Sequence, residues 1–310
     1  MQENVTLAPH TTYGIGGPAR FFREAETPDQ IINSIQFARK KSLPFFLLGA
    51  GSNVLVSDEG FPGVVIKIKD AQVRVEGNTI IAGPGIMMAR LVHTAVAAGL
   101  SDIEWAIGVP GTLGGSIRGN AACFGGETAA RLDSVEIYDA RLDETRTIPA
   151  KMCEFGYKDS IFKRRPAWVI LSARLVLPNG DIPVSYQKIL EHSRVRTVSQ
   201  SIGPKSAGCV FKNIPWSRKD IERTKILMLH PELAQFMNLP EIPASFCLDR
   251  SGMKRERIGA VEVSPVHANY FLNHGGASAE EIMMMIGVAK DRVRRTFGLE
   301  LEEEIAKVGF

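Results

Sequence analysis

The chain has 310 residues, of which 45% are hydrophobic and 23% are charged, and its net charge is +3 at pH 7. This is the composition of a globular protein long enough for two or three domains. The slight positive excess gives no indication of a nucleic-acid partner, but it is compatible with an anionic small substrate.

No apolar stretch approaches the ~20 residues that span a bilayer, and the first residues lack the basic and apolar segments of a signal peptide. The cysteines form no CxxC pair and no Cys/His cluster with zinc spacing, which predicts no metal site. Isolated cysteines are typical of reduced thiols, so we expect a cytoplasmic protein. They are Cys123, Cys153, Cys209 and Cys247.

The first half of the chain predicts an α+β region with an antiparallel or mixed sheet. Proline directly after Thr27 begins one helix, and a second helix over 86–98 ends at Gly99. The glycine-rich segment 107–126 predicts an ordered loop with short helical turns. The predicted strands are 44–48, 54–56, 64–68, 73–75, 79–82, 133–139 and 168–177.

The pattern becomes more helical after Pro178. Ser278 and Glu281 form a capping box at the start of a long helix, and the alternation over 299–305 predicts a final strand. The other predicted helical stretches are 185–196 and 217–238, the second interrupted by Pro231.

Two glycine-rich loops indicate a phosphate-binding region. The segment 49-GAGSN-53 is no dinucleotide fingerprint, because strand residues rather than a helix follow it. Its backbone N–H groups can still form an anion-binding nest, although a tight structural turn explains it equally well. A second loop, 108-GVPGTLGGS-116, favours binding, since two such loops beside sheet segments suggest a long, phosphate-bearing cofactor.

A third segment, 206-SAGCVFKN-213, places a cysteine between a glycine and an apolar pair. Taken alone, a free cysteine is more often a buried packing residue than a catalytic thiol. The residues of this segment by themselves therefore favour a packing role for Cys209.

The chain resembles the UDP-N-acetylenolpyruvoylglucosamine reductase family in six motifs that occur in order between Leu7 and Phe310. The motifs are 9-PHTTYGIGGPA-19, 47-LLGAGSNVLVSDEGFPG-63, 107-IGVPGTLGGSIRGNAA-122, 155-FGYKDSIF-162, 206-SAGCVFKN-213 and 258-IGAVEVSPVHANYFLN-273. The resemblance implies an α+β protein with a two-subdomain FAD-binding fold of the vanillyl-alcohol-oxidase type and an α+β substrate-binding domain.

The implied boundaries are 1–70 and 71–183 for the two FAD-binding subdomains and 184–298 for the substrate-binding domain. A C-terminal strand in 299–310 is expected to pack back on the FAD-binding part. The resemblance also implies that NADPH reduces FAD, which then reduces the enolpyruvyl group of UDP-N-acetylenolpyruvoylglucosamine to give UDP-N-acetylmuramate for peptidoglycan. The residues expected to hold FAD are Gly49, Ala50, Gly51, Ser52, Asn53, Gly111, Thr112, Gly114, Gly115, Ser116 and Asn120.

Three residues stand at the family's catalytic positions. Hydride addition to the enolpyruvyl group leaves negative charge at C2, which requires cationic or donor groups and an acid within reach. The family's Arg, Ser and Glu correspond here to Lys158, Cys209 and Glu262. Cys209 is thus expected to donate the proton, and its thiol ionises more readily than an alcohol. Lys158 keeps the charge but loses the bidentate fork of arginine.

Basic and amide side chains are expected at the nucleotide part of the substrate. Asn213, Lys212 and Arg196 are the assigned substrate-binding residues, with Arg194 and Lys205 as further candidates for the pyrophosphate. Residues 214–243 resemble an insertion, which we expect to be a helical surface decoration.

Two other hypotheses stay open at this point. One is an FAD-dependent oxidase of the same fold with another alcohol substrate, and the other is a flavin-binding homologue whose catalysis is impaired by the change at Lys158. The sequence determines neither the preference between NADPH and NADH nor the oligomeric state, with a monomer slightly favoured.

Overall fold

The computed structural model describes residues 1–199 and 205–310. The helices are α1 (Pro28–Lys40), α2 (Met88–Ala97), α3 (Leu113–Gly119), α4 (Ile161–Arg164), α5 (Ile182–Ser199), α6 (Arg223–Leu229), α7 (Ala244–Arg250) and α8 (Ala279–Phe297). The strands are β1 (Gln2–Thr6), β2 (Pro18–Ala25), β3 (Phe45–Leu48), β4 (Val54–Val56), β5 (Phe61–Ile68), β6 (Val73–Glu76), β7 (Thr79–Ala82), β8 (Ala122–Cys123), β9 (Gly126–Glu127), β10 (Leu132–Asp139), β11 (Glu144–Pro149), β12 (Trp168–Val176), β13 (Ile214–Pro215), β14 (Glu241–Ile242), β15 (Arg257–Ile258), β16 (Val261–Val263), β17 (Phe271–Asn273) and β18 (Ala306–Val308).

The chain forms two compact units, each built from several segments. The first unit comprises Met1–Thr6, Pro18–Gly51 and Phe61–Val198. The second unit comprises Leu7–Gly17, Ser52–Gly60 and Ser199–Phe310. The boundaries at 70, 183 and 298 stay a prediction, since this division follows other segments, with α5 in the first unit up to Val198 and β4 in the second.

The first unit contains a four-stranded and a five-stranded sheet. The four-stranded sheet has the order β1-β2-β5-β3 and is mixed, with β1 antiparallel to β2 and the other neighbours parallel. The five-stranded sheet has the order β11-β10-β12-β7-β6 and is antiparallel throughout. The predicted mixture of sheet types and the hairpin at Gly77 are therefore confirmed.

Helix α1 links the two sheets of this unit through its apolar face. The side chain of Thr27 caps the helix by accepting a hydrogen bond from the Gln30 N–H. Ile31 and Ile35 are fully buried in one cluster with strand residues of both sheets. Burying an isoleucine of this kind stabilises a fold by about 1.5–3 kcal/mol, so this face holds the two sheets together.

The second unit is built on the long helix α8. Its capping box at Ser278 and Glu281 is present as predicted, and its periodic apolar residues are buried. The antiparallel sheet β15-β16-β17 lies in this unit, and β18 pairs in parallel with β4. The predicted final strand at 299–305 was wrong in position, because the strand is Ala306–Val308 and Glu303 makes only an isolated bridge.

Residues 214–243 are anchored in the core of the second unit. The short strands β13 and β14 close the segment, and the indole of Trp216 donates to the carbonyl of Phe236 at 3.0 Å. Trp216 and Leu233 are buried with the rest of the core, so the expectation of a mere surface decoration was wrong. Across the described ranges, no helix has both the length and the apolarity needed to cross a membrane.

Candidate active site

A cavity of ≈ 150 Å³ lies within the first unit, between its two sheets. One wall comes from the ends of β3 and β5, another from β12, and a third from the start of α3. The lining residues are Phe45, Phe46, Leu47, Gly49, Ile68, Pro84, Thr112, Gly114, Gly115, Arg118, Phe162, Pro166, Trp168 and Ile170. Apolar side chains with a few polar groups are typical of a cofactor site.

The glycines of the second predicted loop let the start of α3 approach its neighbours closely. Thr112 caps the helix by accepting from the Gly115 N–H. A Cβ atom on Gly114 would lie 2.9 Å from the Cβ of Pro84, and one on Gly49 would lie 2.7 Å from the Thr112 hydroxyl. The structure thus brings together four of the residues predicted to hold a cofactor, and larger side chains at Gly49 and Gly114 would clash with their neighbours.

Two polar groups of α3 support a ligand in this part of the first unit. The hydroxyl of Ser116 is buried and has no hydrogen-bond partner among the described residues, which is unusual for a buried polar group. Arg118 brings a guanidinium to the lining, and such a group suits phosphate. An apolar cavity with a guanidinium and close backbone approach fits a flavin nucleotide.

The first glycine loop is divided between the units, with Gly49 to Gly51 in the first and Ser52 and Asn53 in the second. Gly51 has φ of 73°, a value that favours glycine. The side-chain amide of Asn53 donates to the carbonyl of Glu304 at 3.2 Å, so it already has a partner within the protein. Ala50 and Ser52 are half-buried.

Lys158 lies in a tight turn of the first unit. Gly156 and Asp159 exchange backbone hydrogen bonds of 3.1 and 3.2 Å across it. Lys158 is the third residue of this turn and has φ of 52°. In turns where the third residue has a positive φ, that residue is ordinarily glycine or asparagine. A left-handed conformation at a non-glycine residue often marks a functional site.

A half-buried thiol lies near this turn. Burial raises the pKa of Cys123, and this effect exceeds the opposing influence of Arg196, which hydrogen-bonds the thiol, and of Lys158. The sequence assigned Arg196 to the substrate, whereas the structure places it on α5 against Cys123. Phe124 stacks on His192 of the same helix, with ring centroids 4.3 Å apart, so α5 is held at this point.

Cys209 is half-buried in an extended segment of the second unit. It forms an isolated antiparallel bridge with Tyr270. Asn269 fixes the next residues, because its backbone carbonyl accepts from the Val210 N–H and its side chain exchanges hydrogen bonds of 2.9 and 2.8 Å with Phe211. These bonds leave little freedom in the backbone that carries the thiol.

Glu262 is buried on β16 and contacts a guanidinium and an imidazole. One carboxylate oxygen lies 2.7 Å from Arg257 and 2.8 Å from His274. Tyr270 lies between the Cys209 segment and the residues that follow β16. It forms the bridge with Cys209 on one side, and on the other its carbonyl accepts from the Ser264 N–H at 2.8 Å. Two strand spacings, roughly 9–10 Å, therefore separate the backbones at Cys209 and Ser264. Glu262 lies two residues further along the strand, opposite Leu272.

Another carboxylate was missed by the sequence analysis. The Glu304 N–H donates to the carbonyl of Val210 at 2.7 Å, which puts its backbone directly beside the Cys209 segment. Arg118 and Trp168 were also not named, although both line the cavity. The alternation of apolar and acidic residues over 299–305 predicted a strand and gave no signal for a site.

Both predicted substrate residues after Cys209 have carboxylate partners. Lys212 lies 3.4 Å from Glu302. The Asn213 amide donates to Glu241 at 3.2 Å, and its carbonyl oxygen accepts from the Ala244 N–H. An anionic substrate at these residues would have to replace or share these contacts.

Comparison with known proteins agrees with this geometry. The FAD-binding domain family matches residues 19–142, and the C-terminal domain family of UDP-N-acetylenolpyruvoylglucosamine reductase matches residues 199–308. The reductase of Solibacter usitatus is 33% identical, over 98% of this chain and 95% of that protein. The reductase of Alkaliphilus oremlandii is 35% identical, over 97% of this chain and 90% of that protein.

A solved structure extends the similarity to the fold. The crystal structure of UDP-N-acetylenolpyruvylglucosamine reductase from Thermus caldophilus matches with a TM-score of 0.76 and 29% identity, over 98% of this chain and 97% of that one. The predicted combination of an FAD-binding fold with a reductase C-terminal domain is thereby confirmed. On sequence, domain content and fold, the chain belongs to the UDP-N-acetylenolpyruvoylglucosamine reductase family.

Proposed function

We propose that this protein uses NADPH and FAD to reduce the enolpyruvyl group of UDP-N-acetylenolpyruvoylglucosamine, with Cys209 as the proton donor. The observation that carries the proposal is the thiol itself, held in a backbone-paired segment at the position of the family's serine. Cys209 is half-buried, as is Cys123, whereas Cys153 and Cys247 are buried.

FAD bound to this protein would supply the hydride chemistry that connects NADPH with C3 of the enolpyruvyl group. The protein must hold that cofactor, and the close approach of Gly49 and Gly114 to their neighbours supports this role. The buried hydroxyl of Ser116 and the guanidinium of Arg118 supply a donor and a cation for polar parts of the nucleotide.

The proton at C2 comes from Cys209 in this proposal. A free thiol has a pKa of about 8.5, so it is protonated at neutral pH and gives up its proton far more readily than an alcohol. The backbone bonds at Val210 and Phe211 keep the thiol in one place during the transfer. Lys158 stabilises the negative charge that forms next to C2, as a point charge rather than a fork.

Two carboxylates are candidates for orienting the donor or the substrate. Glu262 is the one that the sequence motif supplies, but one of its oxygens is already shared by Arg257 and His274. Glu304 is supported by its backbone bond to Val210. We propose Glu262 first, and the variants Glu262→Gln and Glu304→Gln decide between them, with Glu300→Gln as an exposed control. The orienting carboxylate is the one whose loss slows turnover while flavin reduction stays intact.

The deciding experiment separates the two halves of the reaction on purified protein. The bound flavin is reduced anaerobically with NADPH, and UDP-N-acetylenolpyruvoylglucosamine is then added. Rapid reoxidation by that compound is the expected result. Reoxidation by oxygen alone would instead indicate an oxidase with another substrate. A flavin that is reduced but is reoxidised by neither would indicate an impaired homologue.

A further inference from the structure

Asn120 ends α3 in the left-handed region, with φ of 42°, and is 4% exposed. Its side-chain amide donates to a carboxylate oxygen of Glu127 at 3.0 Å and to the backbone carbonyl of Gly156 at 3.1 Å. Its carbonyl oxygen accepts from the Ala129 N–H at 3.1 Å. Both amide protons and the oxygen are thus engaged within the protein, which leaves this side chain little capacity for a cofactor.

The bond to Gly156 reaches the turn that carries Lys158. Gly156 and Asp159 are the two residues that close this turn through their backbones. The turn is only two residues long, and Lys158 holds a positive φ within it. Such a conformation persists only where the surroundings impose it.

A second hydrogen bond joins the same two parts of the first unit. The hydroxyl of Ser160, which is fully buried, donates to the carbonyl of Arg118 at 2.7 Å. The last turn of α3 therefore holds the Lys158 turn from both ends, through Asn120 on one side and Ser160 on the other. The start of the same helix lines the cavity.

We propose that Asn120 is a positioning residue, which sets the Lys158 turn relative to α3 by bonding the carbonyl of Gly156. This inference rests on the proposed function, because it assigns Asn120 an effect on the step that uses Lys158. It differs from the cofactor contact that the sequence predicted for this side chain. Asn120 acts through the backbone of the turn.

The test uses Asn120→Gly, because glycine adopts the left-handed conformation without strain while losing all the side-chain bonds. Thr128→Val is the matched control, since it removes a buried hydrogen bond to the Ala121 carbonyl in the same loop without touching the turn. Asn120→Asp is a second variant, which keeps an acceptor for Ala129 and loses both donors. Thermal unfolding of all variants establishes that each is folded.

Substrate-dependent reoxidation of the flavin is measured first. In Asn120→Gly and Asn120→Asp it should slow on the order of 10²-fold, the scale expected for a reacting group misplaced by ~1 Å. The control should react like the parent protein, and flavin content should be retained in all variants. Loss of flavin or slow reduction by NADPH in Asn120→Gly would overturn the proposal in favour of a cofactor contact.

Amide hydrogen exchange gives a readout that does not depend on activity. Protection of the Gly156 and Asp159 amides should fall in Asn120→Gly and stay unchanged in the control. Unaltered protection at both amides would contradict the proposal, because the turn would then be held without Asn120.

A double-mutant cycle with Lys158→Ala connects the two residues. In that background, Asn120→Gly should slow reoxidation little further. If Lys158→Ala is slow and Asn120→Gly slows it further by its full single-variant factor, the proposed role of Asn120 fails. The proposed role of Lys158 would then still stand. If Lys158→Ala reacted like the parent, the proposed role of Lys158 would fail, and the inference about Asn120 with it.

Discussion

The two candidate catalytic side chains, Lys158 and Cys209, are held in different ways. Lys158 lies at a positive φ in a two-residue turn, which depends on hydrogen bonds from side chains such as Asn120. Cys209 lies in extended backbone, and its neighbours bond to residues on both sides, at Asn269 and at Glu304. Main-chain pairing thus predominates at the thiol, with the Asn269 side chain added at Phe211. At the ammonium group, two backbone bonds close the turn, and side chains of neighbouring segments supplement them.

The two segments should differ in how well they tolerate changes of their side chains. A segment held by backbone bonds keeps its position when its side chains change, which is compatible with cysteine in place of serine. A turn held by side chains keeps its position only while those side chains are present. Changes around Lys158 should therefore affect its placement more than changes around Cys209.

The largest expected effect is that of Cys209→Ala. Loss of a general acid slows the affected step by about 10²–10⁴-fold. Reoxidation of the flavin by substrate should fall by this amount, while flavin binding and reduction by NADPH persist. Cys209→Ser should retain much more activity, since a hydroxyl can still donate. Normal turnover of Cys209→Ala would remove the thiol from the mechanism.

The side chain of Asn269 supplements the backbone pairing of the Cys209 segment, and this contribution can be removed. Asn269→Asp removes the donor to the Phe211 carbonyl and places a carboxylate against it. The free energy of unfolding should drop by about 2–3 kcal/mol, the cost of leaving buried groups unpaired. Chemical denaturation measures this loss, and Asn238→Asp, at an exposed position, is the control. Equal stabilities of the two variants would contradict the account of the Cys209 segment.

A cavity residue of the first unit is held by a buried carboxylate. The indole of Trp168 donates to Asp139 at 2.8 Å. Burial by itself would raise the pKa of Asp139. The carboxylate also accepts hydrogen bonds from the indole and from the N–H groups of Arg141 and Leu142, and it lies near the charge of Arg146. Together these contacts outweigh burial and lower the pKa of Asp139 below the ordinary 3.8. A lowered pKa stabilises the fold above the ordinary value, and this contribution is lost as pH falls through the folded-state value.

Asp139→Asn tests this contribution. At pH 7 the variant should be less stable by about 2 kcal/mol, because an amide N–H₂ group would face two donors. The difference from the parent protein should shrink as pH falls below ~4, where the carboxylate of the unfolded chain becomes protonated. Denaturation at several pH values measures it, with the exposed Glu144→Gln as control. A deficit that stayed constant down to pH 3 would show that ionisation of Asp139 does not contribute.

Local patterns in the sequence predicted much of this fold. The helix caps at Thr27 and Ser278, the hairpin at Gly77 and the strands on both sides of GAGSN depend on neighbouring residues, and all are present. The position of β18 was missed, because its partner β4 is some 250 residues away in the chain and no local pattern encodes that pairing.

The site was predicted less completely for the same reason. The glycine loops gave Gly49 and Gly114, whose small size is a local requirement. The cavity also needs Trp168 and Arg118, which the folding of two sheets brings together. The left-handed conformation of Lys158 was unforeseen, because lysine at that position of a turn contradicts the usual preference for glycine.

That conformation leads to the smallest expected effect. A left-handed backbone costs a non-glycine residue roughly 1–2 kcal/mol, and glycine carries almost none of this cost. Lys158→Gly should thus increase the free energy of unfolding by about 1 kcal/mol, with part of the gain offset by the greater flexibility of the unfolded chain. Lys158→Met keeps the strain and should show no such increase, although both variants lose the ammonium group.

Denaturation of the two variants side by side, with turnover measured on each, separates strain from charge. Equal stability of the two would mean that the turn imposes no strain at Lys158, whereas a more stable, inactive Lys158→Gly would show that stability is given up at this position for the placement of a cation.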